Sequence, residues 1–129
     1  MTLNHKALSQ LTKEEWREYT KTVWSIANVG HAEHPAPFPT EIPHRLTKLF
    51  SFHGETVLDP FGGVGTTALA ATRIGRRAIS IDQNERFVAA ANARLRDDEI
   101  AEEGLADIMT GDSRNLAGIK DDSIDLIVT

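Results

Sequence analysis

Apolar residues follow two rhythms along this chain, and a proline-rich break separates them. In the first stretch Trp16, Tyr19 and Val23 recur at helical spacing behind Thr12-Lys13-Glu14-Glu15. That tetrapeptide fits a capping box, with Thr12 as N-cap and Glu15 at the third helical position. Val23-Trp24-Ser25-Ile26 reads equally well as extended chain. Gly30 to Pro39 (GHAEHPAPFP) holds three of the five prolines and suits neither a helix nor a central strand. Residues 1–39 are therefore expected to form an arm, and residues 40–129 the main domain.

Beyond the break, Thr40 is a candidate cap for a helix with an apolar face of Ile42, Leu46, Leu49 and Phe50. Pro43 is tolerable in its first turn, and Gly54 is expected to end it. A strand-then-helix pattern follows. Thr56-Val57-Leu58 leads to Asp59-Pro60, a glycine loop and a helix from about Thr66 to Ile74, stopped by Gly75. Ala78-Ile79-Ser80-Ile81 leads to Asp82 and a helix carrying Phe87, Val88, Ala91 and Leu95. Ala106 to Thr110 leads to Gly111-Asp112 and an irregular segment, and a fourth run spans Ile124 to Val128. Strands alternating with helices predict right-handed crossovers and an open α/β fold with a parallel, Rossmann-like sheet. Such sheets take ligands at the carboxyl ends of their strands.

The chain has 129 residues, 40% hydrophobic and 26% charged, which fits one globular domain rather than wholesale disorder. No apolar run approaches the roughly 18 residues that a membrane span needs. The lack of cysteine makes the reducing cytoplasm the expected compartment. A net charge of −5 argues against gripping a polyanion by bulk electrostatics.

Three of the four runs end in an aspartate, and a parallel sheet would line Asp59, Asp82 and Asp112 along one crevice. The alternative is that each caps the turn behind it. Asp97, Asp98, Glu99, Glu102 and Glu103 read instead as a solvated helix end. Gly63-x-Gly65-x-x-Ala68 satisfies a dinucleotide fingerprint, with Asp82 near the offset for a ribose-binding acid. Yet Asp59 at the mouth of the first strand would repel a pyrophosphate by several kcal/mol in a partly dry crevice. S-adenosylmethionine carries no phosphate and offers an ammonium, a sulfonium, a ribose diol and an adenine amine. Asp59 fits its methionine end, Asp82 its ribose and Asp112 its adenine. The acids therefore favour this cofactor over NAD.

Asp59-Pro60-Phe61-Gly62-Gly63-Val64-Gly65-Thr66-Thr67 resembles the cofactor loop of the amino-group DNA methyltransferases, Asp-Pro-Phe-x-Gly-x-Gly-Thr-Thr. Those enzymes methylate adenine N6 or cytosine N4. His34-Pro35-Ala36-Pro37-Phe38-Pro39-Thr40-Glu41 is similar to the family segment that covers the methionine end of the cofactor. Ile79 to Asp82 and Thr110-Gly111-Asp112-Ser113 match the next two motifs, and Glu15-Trp16 and Val23-Trp24 resemble the family's approach to them. The resemblance implies S-adenosylmethionine binding by Asp59, Pro60, Phe61, Gly63, Gly65, Thr66, Thr67, Asp82, Asp112 and Ser113, with Pro37, Phe38 and Thr40. It also implies a soluble restriction–modification type enzyme or an orphan methylase.

The family's catalytic tetrapeptide, a polar residue followed by Pro-Pro and an aromatic, would come just after the fourth strand. This sequence stops at Thr129, so the chain is expected to bind cofactor without turning over alone. DNA is expected to be met by a completing polypeptide. The family's sheet order, third, second, first, fourth, makes the fourth run an apolar edge that invites a second copy or a complementing subunit. A non-catalytic binding module of the same fold is the main alternative function.

Three other readings are weaker. His31-x-x-His34, with His44 and His53, has the outline of a metal cluster, but the prolines after His34 forbid the helix such a pair needs. Trp16, Tyr19 and Trp24 suit packing better than base stacking. Arg73, Arg76 and Arg77 form a small basic patch, read as solvated helix-end arginines.

Overall fold

Four parallel strands in the order β3-β2-β1-β4 form the sheet of this computed structural model, which describes residues 3–27 and 38–129. β1 (Thr56–Asp59) pairs with β2 (Arg77–Asp82) on one side and β4 (Leu126–Ile127) on the other, and β2 pairs with β3 (Ala106–Thr110). Helix α4 (Thr66–Arg73) connects β1 to β2 and α5 (Glu85–Asp97) connects β2 to β3. Both pack on the sheet and on each other, with α3 (Glu41–Phe50) against α4.

Paired residues of parallel strands share a face. Val57, Ala78, Ala106 and Leu126 are in register and join Ala68, Ala71 and Val128 in the core under the helices. Each fully buried valine or leucine adds roughly 1.5–3 kcal/mol to folding. Leu58, Ile79, Ile127 and Asp107 share the other face, where Ile127 is 60% exposed. The return from β3 to β4 reverses direction across the sheet, so the handedness rule assigns it to the face opposite the helices. It is the irregular segment 111–125.

The sheet order is the one the family resemblance implies, the first three strands follow the sequence pattern, and the differences are local. The fourth strand shrinks to two residues. α3 ends at Phe50 and not at Gly54, with Ser51 as its C-cap, and Gly54 makes a left-handed turn whose N–H donates to Gly75 O. The buried residues of α3 are Pro43, Arg45 and Thr47, while Phe50 is exposed. Thr40 precedes the helix without a side-chain capping bond.

The N-terminal part holds two short helices, α1 (Leu3–Ser9) and α2 (Lys13–Tyr19), of which α1 has no clear sequence signal. Thr12 and Glu15 form the expected capping box, Thr12 Oγ1 accepting from Glu15 N–H at 3.0 Å and the Glu15 carboxylate from Thr12 N–H at 2.9 Å. α2 stops at Tyr19, leaving Val23 exposed outside any helix. Arg45 draws this region onto α3. It bonds Glu41 at 2.7 Å, approaches Glu18 at 3.6 Å and lies 4.9 and 5.2 Å from the Tyr19 and Trp24 ring centres. Glu15 also meets Lys48 at 2.5 Å. Tyr19 and Trp24 therefore pack, as expected, while Trp16 stays half exposed.

The supposed basic patch is no patch. Arg76 is 0% exposed, Arg73 pairs with Asp98, and only Arg77 stands in solvent. Arg76 donates to Ser51 O at 2.7 Å, Ser51 Oγ at 3.1 Å and Ile74 O at 2.9 Å, satisfying carbonyls at two helix ends. Asp98 likewise leaves the group of solvated acids. It accepts from Ala101 N–H at 2.7 Å and Ile100 N–H at 3.0 Å, and Arg73 holds its pKa down at about 2.

Replacing Arg76 with methionine keeps the stem but orphans those buried acceptors. Urea unfolding is expected to show a loss of about 2 kcal/mol or more. Arg77→Met should stay within about 0.5 kcal/mol of wild type.

Candidate functional site

The loop between β1 and α4 leaves the sheet at its topological switch point, where β1 has β2 on one side and β4 on the other. Gly62 N–H donates to Ile81 O at 2.8 Å, and Gly65 N–H closes the turn onto Gly62 O at 2.9 Å. Gly63 and Gly65 are left-handed, at φ +53° and +81°. Gly62 is required for a different reason, because a Cβ there would come 1.7 Å from Ser80 Oγ. The sequence motif leaves that position unspecified, and only the approach of β2 reveals it.

The three strand-end aspartates share one local geometry. Asp59 Oδ1 accepts from Phe61 N–H at 3.0 Å, Asp82 Oδ1 from Asn84 N–H at 2.8 Å, and Asp112 Oδ1 from Arg114 N–H at 2.9 Å. Each thus makes the turn-capping bond to the amide two residues on, the role set against ligand binding in the sequence analysis. They differ in what remains. Asp82 Oδ2 accepts from Gly63 N–H at 3.0 Å and ties β2 to the glycine loop. Asp112, partly exposed, is bonded by the Arg114 guanidinium, which with the Arg114 amide lowers its pKa.

Asp59 is buried, at 2% exposure, and burial pushes its carboxyl pKa up. The Thr67 and Thr129 hydroxyls and the Phe61 amide oppose that shift, while the Asp82 charge reinforces it. Among the described residues, none of the groups that shift it most is a cation. The Thr67 hydroxyl lies beside the carboxylate, yet no partner meets its Oγ1 in full hydrogen-bond geometry.

The remaining candidates gather around this row to different degrees. Ser113 Oγ donates to Pro60 O, and Gly111 N–H donates to Asp82 O at 3.0 Å, so the segment after β3 reaches both β2 and the loop. Thr66 and Thr67 are buried in the first turn of α4, and Phe61 is exposed at the loop surface. Phe38 and Thr40 are half-buried before α3, and Pro37 lies outside the described residues. So do His31 and His34; His44 meets Tyr19 edge-on, and the His53 ring lies tilted beside that of His5, centroids 5.4 Å apart. Among the described residues no three His, Cys, Asp or Glu side chains converge as a metal site. No described helix is long and apolar enough to cross a membrane.

Two hollows lie away from the strand-end aspartates. One of about 420 Å³ sits beside α5 and β3, lined by Leu95, Ala106 and Ile108 together with Asp98, Glu102 and Glu103. The other, about 530 Å³, lies between the N-terminal helices and the end of α3, lined by Trp16, Leu49 and Phe50.

The DNA methylase family model matches residues 1–93, and a general methyltransferase-domain model matches residues 58–129. The chain belongs to the N6/N4 DNA methylase family. Its sheet is that of the class I Rossmann-like methyltransferases. Type II methyltransferase M.BglI of Bacillus subtilis is 40% identical over 89 residues, covering 67% of this chain and 26% of that protein. M.PvuII of Proteus hauseri is 36% identical over 95 residues, 70% of this chain and 28% of its own length. This methylase-family chain therefore spans about a quarter of the curated relatives' length. A candidate DNA modification methylase of Thermus thermophilus superposes with a TM-score of 0.68 at 34% identity, over 84% of this chain and 44% of that one. A complex of that protein with S-adenosyl-L-methionine superposes at 0.61 with 37% identity, over 73% and 36% of the two chains.

Because burial raises the Asp59 pKa, the folded protein holds its proton where the unfolded chain has released it. Its ionisation costs nothing below the ordinary carboxylate range and lowers stability as pH rises through 3.8 and beyond. Asp59→Asn, free of ligand, is expected to match or exceed wild-type stability at pH 7, with the gap gone near pH 3. Urea midpoints across that range check it, and a wild type more stable at pH 7 would contradict it.

Proposed function

We propose that this chain is the S-adenosylmethionine-binding part of a DNA methyltransferase that modifies an exocyclic amino group, adenine N6 or cytosine N4. The observation that carries this reading is the buried Asp59 carboxylate at the mouth of β1, with no cation among the described groups that shift it most. A cationic ligand placed there would relieve its desolvation. Thr67 Oγ1, buried beside that carboxylate, meets no partner in full hydrogen-bond geometry.

The assignment of donors follows the same physical logic. Asp59 would hold the α-ammonium, with Pro60, Phe61, Gly63, Gly65, Thr66 and Thr67 forming the surrounding loop. Asp82, bonded to the Gly63 and Asn84 amides, keeps further lone pairs for ribose hydroxyls. Asp112 and Ser113 are assigned to the adenine side, and Pro37, Phe38 and Thr40 to the methionine end. When bound, the cofactor supplies a methyl group on a sulfonium. The residues here bind and orient it. A pyrophosphate would meet the Asp59 and Asp82 charges, which disfavours a dinucleotide.

Transfer to DNA is proposed for this part together with further polypeptide, since the curated relatives are about four times as long as the region matched. The outer edge of β4, with Ile127 exposed, is the proposed seam for that polypeptide or for a second copy of the chain. The cytoplasm is the proposed compartment.

Titration calorimetry should register S-adenosylmethionine and no NAD. Asp59→Asn and Asp82→Asn should each weaken binding by about tenfold, the size of a lost charge-assisted bond. Unchanged affinity in Asp59→Asn would remove the carrying argument. The chain alone should not methylate DNA, whereas addition of the completing polypeptide should restore transfer. In sedimentation at micromolar concentration the lone chain should self-associate, and a well-behaved monomer would refute pairing of two copies through β4.

A further inference from the structure

Helix α5 is the wall behind the glycine loop. A Cβ on Gly65 would lie 2.7 Å from Ala91 Cβ, so the helix packs directly on the loop backbone. One turn further along the same helix, Arg94 Nη1 donates to Val64 O at 2.8 Å and approaches Thr66 Oγ1 at 3.1 Å. These two oxygens flank Gly65, the left-handed residue at which the chain turns into α4.

The environment is a poor one for a cation. Burial lowers the Arg94 pKa, the nearby Arg73 charge lowers it further, and Asp98 offsets this only in part. The acceptors Arg94 bonds are neutral oxygens. The amino end of a helix, where Thr66 stands, also repels positive charge. A guanidinium kept in such a place adds little net stability, because its desolvation opposes its hydrogen bonds. Its bonds do hold the loop on both sides of its turning point.

We infer that Arg94 is the positioning residue of the glycine loop. It locks Val64–Thr66 against α5, so the loop amides and the Asp59–Thr67 pair behind them keep one arrangement before any ligand arrives. Preorganisation of this kind raises affinity by removing the cost of ordering the loop on binding. The benefit to cofactor binding rests on the function proposed above, whereas the locking of the loop does not.

The test uses the full chain as wild type, Arg94→Met and Arg94→Lys. Methionine keeps much of the stem and removes the donors, and lysine restores a donor. Amide exchange by mass spectrometry is read over residues 62–67 and, separately, over β1, β2 and α5. S-adenosylmethionine affinity is read by calorimetry. Arg94→Met should exchange about tenfold faster in residues 62–67 alone and bind about tenfold more weakly, as expected for loss of charge-assisted bonds. Arg94→Lys should recover most of both.

Loop exchange equal to wild type in Arg94→Met would overturn the inference. So would acceleration spread evenly through α5 and the sheet, the signature of a merely structural role. A loosened loop with wild-type affinity would overturn its link to binding. If wild type itself binds no S-adenosylmethionine, the cofactor reading fails, and the exchange comparison alone decides whether Arg94 locks the loop. Should Arg94→Met not fold, Arg94→Gln replaces it in the same comparison.

Discussion

A carboxylate that cannot reach water sets the terms for the rest of this structure. Asp59 ends the central strand β1 and is covered by the first turn of α4. Its bond from Phe61 N–H begins the loop that the following glycines complete. Burying a carboxylate whose main described donors are hydroxyls and an amide is expensive, and folds keep such groups where binding recovers the cost. The same carboxylate shapes the loop and, in the function proposed above, is the group that favours a positive ligand. A dinucleotide-binding sheet with identical strand order is better served by an uncharged residue at that point.

The surroundings of the loop are tied together by backbone contacts more than by side-chain packing. Asp82 reaches the Gly63 amide, Ser113 reaches the Pro60 carbonyl, and Gly62 N–H reaches Ile81 O. Small residues make this possible, since Gly62 against Ser80 and Gly65 against Ala91 leave no room for a Cβ. Three buried or half-buried arginines serve the scaffold in related ways. Arg76 joins the ends of α3 and α4, Arg45 binds the N-terminal helices to α3, and Arg94 holds the loop to α5. In each case one guanidinium ties together groups from separate segments of the chain.

Sequence reasoning did best where a local cause acts alone. The Thr12–Glu15 capping box forms as spaced, and β3 occupies Ala106–Thr110 as the apolar run suggests. It failed where a charge was judged by its type. Arg76 and Asp98 both read as surface groups, yet one is fully buried and the other caps a turn under Arg73. Phe50 read as core and is exposed, because α3 turns Pro43, Arg45 and Thr47 inward. Arg94 carried no signal at all, since its partners lie 30 and 28 residues away.

The strand and helix segments, the turn-forming aspartates and the loop glycines were therefore written in the chain itself. Periodicity, capping and left-handed φ are properties of residues close in sequence. Which aspartate is buried, which arginine is hidden and why Gly62 admits no side chain were decided by the tertiary structure. Desolvation and steric contact depend on the elements brought against a residue, and those come from distant parts of the chain.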